Sequence, residues 1–458
     1  MASEKPLKVL IVGASTSGLT LAHCLDRVNI DYEIFDGHPV APPVGASICL
    51  LPNGVAVLDQ LGLYKSLAAI TRKLKNVAIY ASGGRLINVG YPGCMLPRQA
   101  LVQMLYDHIA DKSKIHAGSG NKVRRVEHRD DCIELHTTDG AVIRGDLVVG
   151  CDGVHSTIRS EMWRIARAAQ PEAFAEDASA FASEYRCLFG ISGPVPGMGP
   201  GDSHLTTGKA GYLLFDGANG DVFWFLYEKM DRKYTWPDVA RFTPQQGEAL
   251  AAEHVHDVIT GEMTFGDVWK ARKTFGLLPM EEGVMKNWHW GRIAVLGDAA
   301  HKVSVNAGQG GNSAIEDAAA CVNALNAAVK ASPSRGLSLA EITTALGRYQ
   351  DARLPRMLKI ECLSRDLCRI QGAEGIKHSL FVAVSWLKSA PWMEMQEDVV
   401  RGAVTLDFLP ASTRYIKAAA LPTEQGGFFS LASLLVLSAG LLAGVGIGVF
   451  LNKIPIVG

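Results

Sequence analysis

The sequence has no excess of charge of either sign. Its 45 Lys plus Arg balance 46 Asp plus Glu, for a formal net charge of −1. No basic run and no interleaving of aromatic with basic residues occurs, which argues against nucleic acid as a partner. The nine cysteines are scattered, with no C-x-x-C pair and no His/Cys cluster at metal-ligand spacing. No metal site is expected from them, and the odd, dispersed set reads as reduced thiols in a cytosolic setting. There is no internal repeat, and no long low-complexity segment beyond Gly/Pro clustering at 193–201. No signal peptide is evident either: apolar residues begin at Leu7, but Ser, Thr and Gly interrupt them at once. What is present is a chain of 458 residues, 48% apolar, enough for a large core and roughly three domains.

Two glycine-rich turns and an Asp-Gly segment punctuate that chain. The most informative is Gly297-Asp-Ala-Ala-His301, followed by Asn306-Ala-Gly-Gln-Gly-Gly-Asn312. It lies between an apolar strand-like run, Arg292 to Leu296, and an Ala-rich helical run, Ser313 to Ala328. A strand, a glycine turn and a helix start offer free N–H groups and the positive end of a helix dipole to an anionic or polar ligand. Asp298 adds one fixed acceptor, suited to a sugar or ribityl hydroxyl. Near the start, the strand candidate Leu7 to Val12 leads into Gly13-Ala-Ser-Thr-Ser-Gly18, a helical pattern from Leu19 to Val28, and a second strand, Tyr32 to Phe35, ending at Asp36. This is the βαβ dinucleotide layout, with an acid about twenty residues past the first glycine. Gly13 permits the turn and Gly18 close helix–strand packing. Ser15 stands where the motif has its middle glycine, so its Cβ narrows the approach of a pyrophosphate. The third segment is Asp146-Leu-Val-Val-Gly-Cys-Asp-Gly153, a buried-strand pattern ending in an Asp152-Gly153 turn signal and continuing through His155-Ser156 to Arg159.

Taken together, these three segments resemble the flavin-dependent, aromatic-hydroxylase-type (group A) monooxygenases. The chain is most similar to the fungal branch that epoxidises prenyl chains of indole diterpenes and meroterpenoids. The resemblance runs from Lys8 to about Pro410. It also includes Val44-Gly-Ala-Ser-Ile48 with Pro52-Asn-Gly54, Arg98-Gln-Ala-Leu101, Glu184-Tyr-Arg-Cys-Leu-Phe-Gly190 and Leu406-Asp-Phe-Leu-Pro410. It implies an α/β fold with a Rossmann-like FAD-binding domain formed by 1–75, 98–180 and 285–330. A mixed β-sheet domain, 76–94 and 181–284, is interleaved with it and covers the substrate. Tyr212 to Phe215 and Val222 to Tyr227 read as strands of that sheet. A helical region spans 331–420, with Pro355 expected to kink the run Leu346 to Leu367.

The resemblance also implies roles. Gly13, Ser15 and Gly18 belong to the pyrophosphate turn, Asp36 takes the adenosine ribose, and Asp152 belongs to the cofactor-binding Asp-Gly segment. Arg98 faces the phosphate or ribityl part of FAD, or is a surface helix cation. Gly45 and Ala46 lie in a mobile loop near the isoalloxazine. Asp298 binds the ribityl chain, and the N–H groups around Gly308, Gly310 and Gly311 stabilise negative charge on the reduced pyrimidine end. His301 reads as scaffold rather than base. Arg186 and Tyr212 are the candidate catalytic groups in the substrate chamber, Arg186 orienting or protonating an oxygen or else pairing at a domain interface. The implied chemistry is FAD reduced by NADPH or NADH, O₂ added at C4a as a hydroperoxide, and one oxygen passed to an alkene of a hydrophobic small molecule. Valine at position 305 departs from a family proline; it restores a backbone N–H and relaxes φ. A flavin-binding isomerase or cyclase without net oxygenation, a hydroxylase of an aromatic substrate, and a non-enzymatic scaffold therefore stand as alternatives.

The C-terminus adds one expectation. Phe428 to Phe450 is 23 residues without a charge, long enough to span a bilayer. Read as an anchor beyond the Leu421 to Gly427 linker, it implies a single-pass protein of the endoplasmic reticulum with its catalytic body in the cytosol. The alternative is a buried helix. Gly440-x-x-x-Gly444 and Gly444-x-x-x-Gly448 leave a homodimer through that helix open. Lys417 and Lys453 are too balanced to set an orientation.

Overall fold

The computed structural model describes residues 7–43, 47–81, 84–90, 93–332, 336–372 and 400–412. Short apolar runs rich in Val, Ile and Leu form a six-stranded sheet in the order His289–Trp290, Ile293–Val295, Leu147–Gly150, Lys8–Val12, Asp31–Asp36, Ile115–Ala117. All neighbours are parallel except the hairpin edge strand His289–Trp290. Such strands are covered on both faces, which is why Leu147–Gly150 and Ile293–Val295 are buried throughout. The helices Thr16–Asp26 and Gly310–Ala331 pack on one another beside it. An antiparallel meander, Val123–His128, Ile133–Thr137 and Val142–Gly145, precedes the strand Leu147–Gly150.

The second sheet has eight strands: His301–Lys302, Arg272–Val284, Ala182–Ser192, Val222–Thr235, Ala210–Asp216, Ser203–Thr207, Asn76–Ala81 and Gly84–Gly90. It is antiparallel but for the pair Ser203–Thr207 and Asn76–Ala81. Side chains alternate across it. Tyr185, Cys187, Leu213, Phe215, Phe225 and Tyr227 share one apolar cluster, whereas Leu188, Tyr212, Leu214, Trp224 and Leu226 belong to another. A small antiparallel sheet has the order Ser47–Leu50, Cys94–Pro97, Arg72–Lys73.

The helix Leu339–Gln371 starts at a capping box of Ser338 and Glu341 and runs through Pro355 as one helix. The kink expected there does not end the element. Its buried residues Ile342, Leu346, Tyr349, Arg353, Met357, Ile360, Ser364 and Leu367 recur at helical spacing and dock it on Gly310–Ala331 and on the turn Val305–Ala307. Residues 401–412 are irregular rather than helical. Gln60 holds them, its side-chain amide donating to the Leu406 carbonyl at 2.9 Å and accepting from the Leu406 N–H at 2.9 Å. All nine cysteines are unbonded thiols.

The expected membrane anchor requires correction. Among the described residues no helix is long and apolar enough to cross a membrane. Residues 428–450, with their Gly-x-x-x-Gly motifs, lie outside the described residues. The expected single-pass placement, and the dimer through that helix, find no support among the described residues.

Candidate functional site

A cavity of about 670 Å³ opens between the two sheets. It lies at the C-terminal ends of the strands Lys8–Val12, Asp31–Asp36 and Leu147–Gly150, where open α/β sheets place their ligands. Its size falls within the range of about 300–1,000 Å³ typical of small-molecule and cofactor sites.

The first wall is the turn after Lys8–Val12. Gly13 has φ +111°, and a Cβ there would sit 2.3 Å from the Cys151 carbonyl oxygen. Only glycine lets the two strand ends approach so closely. A Cβ at Gly18 would lie 2.0 Å from the Gly13 oxygen, so this residue serves the packing of helix on turn. The helix Thr16–Asp26 begins at Ser15 with no side-chain cap and no acid in its first turn. Its leading N–H groups and the positive end of its dipole therefore stay available to an anion. Arg98 reaches the same spot, its guanidinium donating to the Ser15 hydroxyl at 2.5 Å. The Asp36 carboxylate accepts from Ala14 N–H at 2.8 Å and His38 N–H at 2.9 Å. These bonds fix its orientation and leave lone pairs for hydroxyl donors.

The opposite wall is the segment 297–311. Asp298 lines the cavity and is ion-paired with Lys302, both about one-third exposed. Gly308 is left-handed, φ +62°, and ends the turn Val305–Ala307. The helix Gly310–Ala331 again begins without a side-chain cap or a first-turn acid. The space around a Gly310 Cβ is open, while a Gly311 Cβ would lie 2.3 Å from Ile48. Two helix starts thus point uncapped dipoles at one cavity, a pattern suited to a ligand with negative charge at both ends. Asp152 lines the cavity as well, but its carboxylate serves the helix Thr157–Ala169. It accepts from Thr157 N–H at 2.7 Å, Ile158 N–H at 3.1 Å and the Ser156 hydroxyl. Burial pushes its pKa up against the pull of those bonds. Gly45 and Ala46 lie outside the described residues.

Below the second wall lies a fully buried ion network. Arg353 donates to Asp317 at 2.7 Å and to Glu316 at 2.5 Å. Asp317 also accepts from Gly297 N–H at 2.9 Å and pairs with His301 at 2.6 Å. Glu316 takes Asn53 at 2.7 Å, and Asn53 also donates to Gln309 at 2.8 Å. Burial alone would raise the Asp317 pKa, but His301 and Arg353 outweigh it and hold it at about 2. His301, 1% exposed, is a strut of this network rather than a group at the cavity. Asn312 completes the bracing: it accepts from Leu51 N–H at 2.9 Å and donates to the Cys49 and Gly308 carbonyls.

The covering sheet supplies the apolar side of the cavity through Leu213, Phe215 and Phe225, joined by Met95. Here the expected catalytic residues need correction. Strand alternation turns Tyr212 away from its neighbours Leu213 and Phe215, into the far cluster with Trp224 and Leu226. Register pairs Arg186 with Glu228 and Leu188 with Leu226, so Arg186 shares the far face. There Arg186 donates to Glu228 at 2.8 Å, Glu228 meets His254 at 3.2 Å, and Tyr212 donates to Asp257 at 2.6 Å. Neither residue lines the cavity. A helix-rich sequence stretch had hidden Arg353; its one clue was Glu316-Asp317, an acidic pair inside an otherwise Ala-rich apolar run.

Comparison with known proteins agrees with this geometry. A family model described as FAD binding domain matches residues 6–171 and 223–351. The chain is 40% identical over 435 residues to the FAD-dependent monooxygenase spyC of Aspergillus fumigatus, covering 90% of each. It is 36% identical over 429 residues to the FAD-dependent monooxygenase atmM of Aspergillus flavus, covering 90% of this chain and 89% of that one. Among solved structures, Klebsiella pneumoniae HpxO complexed with FAD and uric acid superposes with a TM-score of 0.69 at 19% identity, over 86% of this chain and 96% of that one. That likeness is one of fold.

Proposed function

Since the chain belongs to the FAD-binding-domain family and is an FAD-dependent monooxygenase, we propose that it uses NAD(P)H and O₂ to epoxidise an alkene of a prenylated terpenoid secondary metabolite. The observation that carries the proposal is the cavity's two-sided make-up. One wall presents uncapped helix starts, Asp36 and Asp298; the other presents Leu213, Phe215 and Phe225.

The residues fit FAD. The space that a Gly13 Cβ would fill is needed by the turn itself, and the open space at Gly310 admits a flat ring against backbone. Ser15, Arg98 and the first turn of Thr16–Asp26 would hold the pyrophosphate, Asp36 the ribose, and Asp298 the ribityl hydroxyls. Bound FAD supplies the redox chemistry, accepting a hydride and activating oxygen. The chain's own contribution is electrostatic and steric. Amides at Gly310 and Gly311, at a helix N-terminus, favour negative charge beside them. Phe215, Phe225 and Leu213 would exclude water and hold a greasy alkene within the cavity. No group on this wall is needed as acid or base, because oxygen transfer to an alkene requires no proton removal from the substrate.

The test is incubation of the purified, FAD-loaded chain with NADPH, ¹⁸O₂ and a panel of prenylated candidates, followed by mass spectrometry. One labelled oxygen per product supports the proposal. A product isomeric with its substrate, formed without oxygen uptake, would instead establish the isomerase or cyclase reading that Val305 keeps open.

A further inference from the structure

At the edge of the cavity, beside the turn Val305–Ala307, three polar side chains form a cluster to which the proposed FAD contacts assign no role. Asn306 lines the cavity. Its amide nitrogen donates to Gln371 Oε1 at 2.7 Å, and the Tyr227 hydroxyl donates to the same oxygen at 2.9 Å. Gln371 is 1% exposed and Tyr227 is fully buried. The backbone carbonyl of Gln371 accepts from Gly208 N–H at 3.0 Å, which pins its main chain. With Gln371 Oε1 taking both donors, Gln371 Nε2 and Asn306 Oδ1 are buried without a partner. Reversing both amides gives the complementary result, with Gln371 Oε1 and Asn306 Nδ2 unpaired. In either arrangement one donor and one acceptor remain unpaired, one on Asn306 at the cavity wall and one on Gln371, which Asn306 bonds from that wall. Leaving such groups unpaired is costly, so they mark a place where a ligand completes the bonding.

We propose that Asn306, held in place by Gln371, recognises a free hydroxyl on the substrate, so that the terpenoid accepted here is an alcohol anchored at this end of the cavity. The inference rests on the cavity being the terpenoid chamber. A hydroxyl both donates and accepts and so satisfies the Asn306 amide whichever way it lies. An ether or ketone oxygen only accepts, and a hydrocarbon does neither. Tyr227 acts as a positioning residue, holding Gln371 so that its second amide group faces away from the tyrosine. A site of this kind discriminates more sharply than an apolar pocket, because the wrong ligand leaves buried polar groups unpaired.

The experiment titrates the FAD-loaded full chain with geranylgeraniol, its methyl ether and the matching hydrocarbon, reading perturbation of the flavin absorbance. Wild type is expected to bind the alcohol at least about tenfold more tightly than the ether. In Asn306→Ala and in Gln371→Leu, measured separately, that preference collapses to less than about twofold while FAD content is retained. Two variants on different elements guard against one failing to fold, and the wild-type probe ratio stands independently of both. Equal affinity for alcohol and ether in wild type, or an undiminished preference in both variants, overturns the hydroxyl site and leaves the terpenoid chamber standing. No response to any of the three probes overturns the chamber itself.

Discussion

Replacing Arg353 with methionine tests the framework on which the site is built. Arg353 is fully buried and bridges Asp317 at 2.7 Å and Glu316 at 2.5 Å. Its removal does not orphan either acid completely. Asp317 keeps His301 and Gly297 N–H, and Glu316 keeps Arg356 at 2.9 Å, Asn53 and Val404 N–H at 3.1 Å. Breaking a buried pair by removing one partner costs about 3–5 kcal/mol. The pH dependence gives the sharper test. In the wild type Asp317 titrates at about 2, below its unfolded value of about 3.9. Its contribution is therefore complete above about pH 4 and fades as pH falls toward about 2. Without Arg353, burial dominates and both acids move up. A raised folded pKa makes proton uptake favour the folded state, so the variant gains on the wild type as pH falls. Urea unfolding should show a gap of about 3–5 kcal/mol near pH 7.5. The gap should narrow by at least about 1 kcal/mol near pH 5, each unit of pKa being worth about 1.4 kcal/mol. Because Asp317 holds Gly297 N–H, FAD affinity should fall in parallel. A gap independent of pH, or one that widens in acid, would refute the charge-pairing account.

Three further outcomes follow from the geometry. Gly13→Ala should purify without FAD, since its Cβ would lie 2.3 Å from the Cys151 oxygen at a φ of +111°; stoichiometric flavin absorbance in that variant would contradict the close approach. Arg186→Met and Tyr212→Phe should each leave kcat/KM within about threefold of wild type, because residues that touch no reacting group contribute little to transition-state binding. A loss of a hundredfold would return these residues to the chemistry. Val305→Pro should retain NADPH-dependent oxygenation, as the substitution removes one N–H and fixes φ at a cavity-wall residue that is 37% exposed. Oxygenated product from the variant but none from the wild type would show that valine had ended the oxygenase reaction.

The dinucleotide turn and the Gly297–Asn312 segment could be read from the sequence because their requirements are local. A glycine with positive φ, an uncapped helix start and an acid at a strand end each leave a mark within a few residues. The sequence said less about the covering sheet. Tyr212-Leu-Leu-Phe215 and Val222 to Tyr227 are apolar without a break, so no alternation reveals which residues face the cavity. Register alone decides, and register is a property of strands far apart in the chain. Polar residues in such strands attract attention as chemistry, yet Arg186 and Tyr212 bond Glu228 and Asp257 and do not line the cavity. Asp152 was similarly ambiguous: an acid after a strand suits a cofactor, and here it also caps the next helix.

The buried charges explain how a site made largely of backbone can be specific. The groups offered to the cofactor are mainly amides, which have no side chain to hold them in place. Each critical stretch is instead tied from behind. Gly297 is fixed by Asp317, Gln309 by Asn53, and Gly308 and the strand Ser47–Leu50 by Asn312. Arg353, on the long helix Leu339–Gln371, joins the two acids that anchor these ties. The same helix ends at Gln371, which holds Asn306, the residue assigned to the substrate hydroxyl. One element thus braces the wall at its middle and, through the bond from Asn306 to its last residue, holds a second stretch of the cavity lining. If substrate binds as proposed, its orientation depends on a 33-residue helix rather than on a loop. Substitutions along that helix should for this reason alter product regiochemistry before they abolish flavin binding, and mapping the oxygenated carbon in an Ile360→Ala variant would test that order of events.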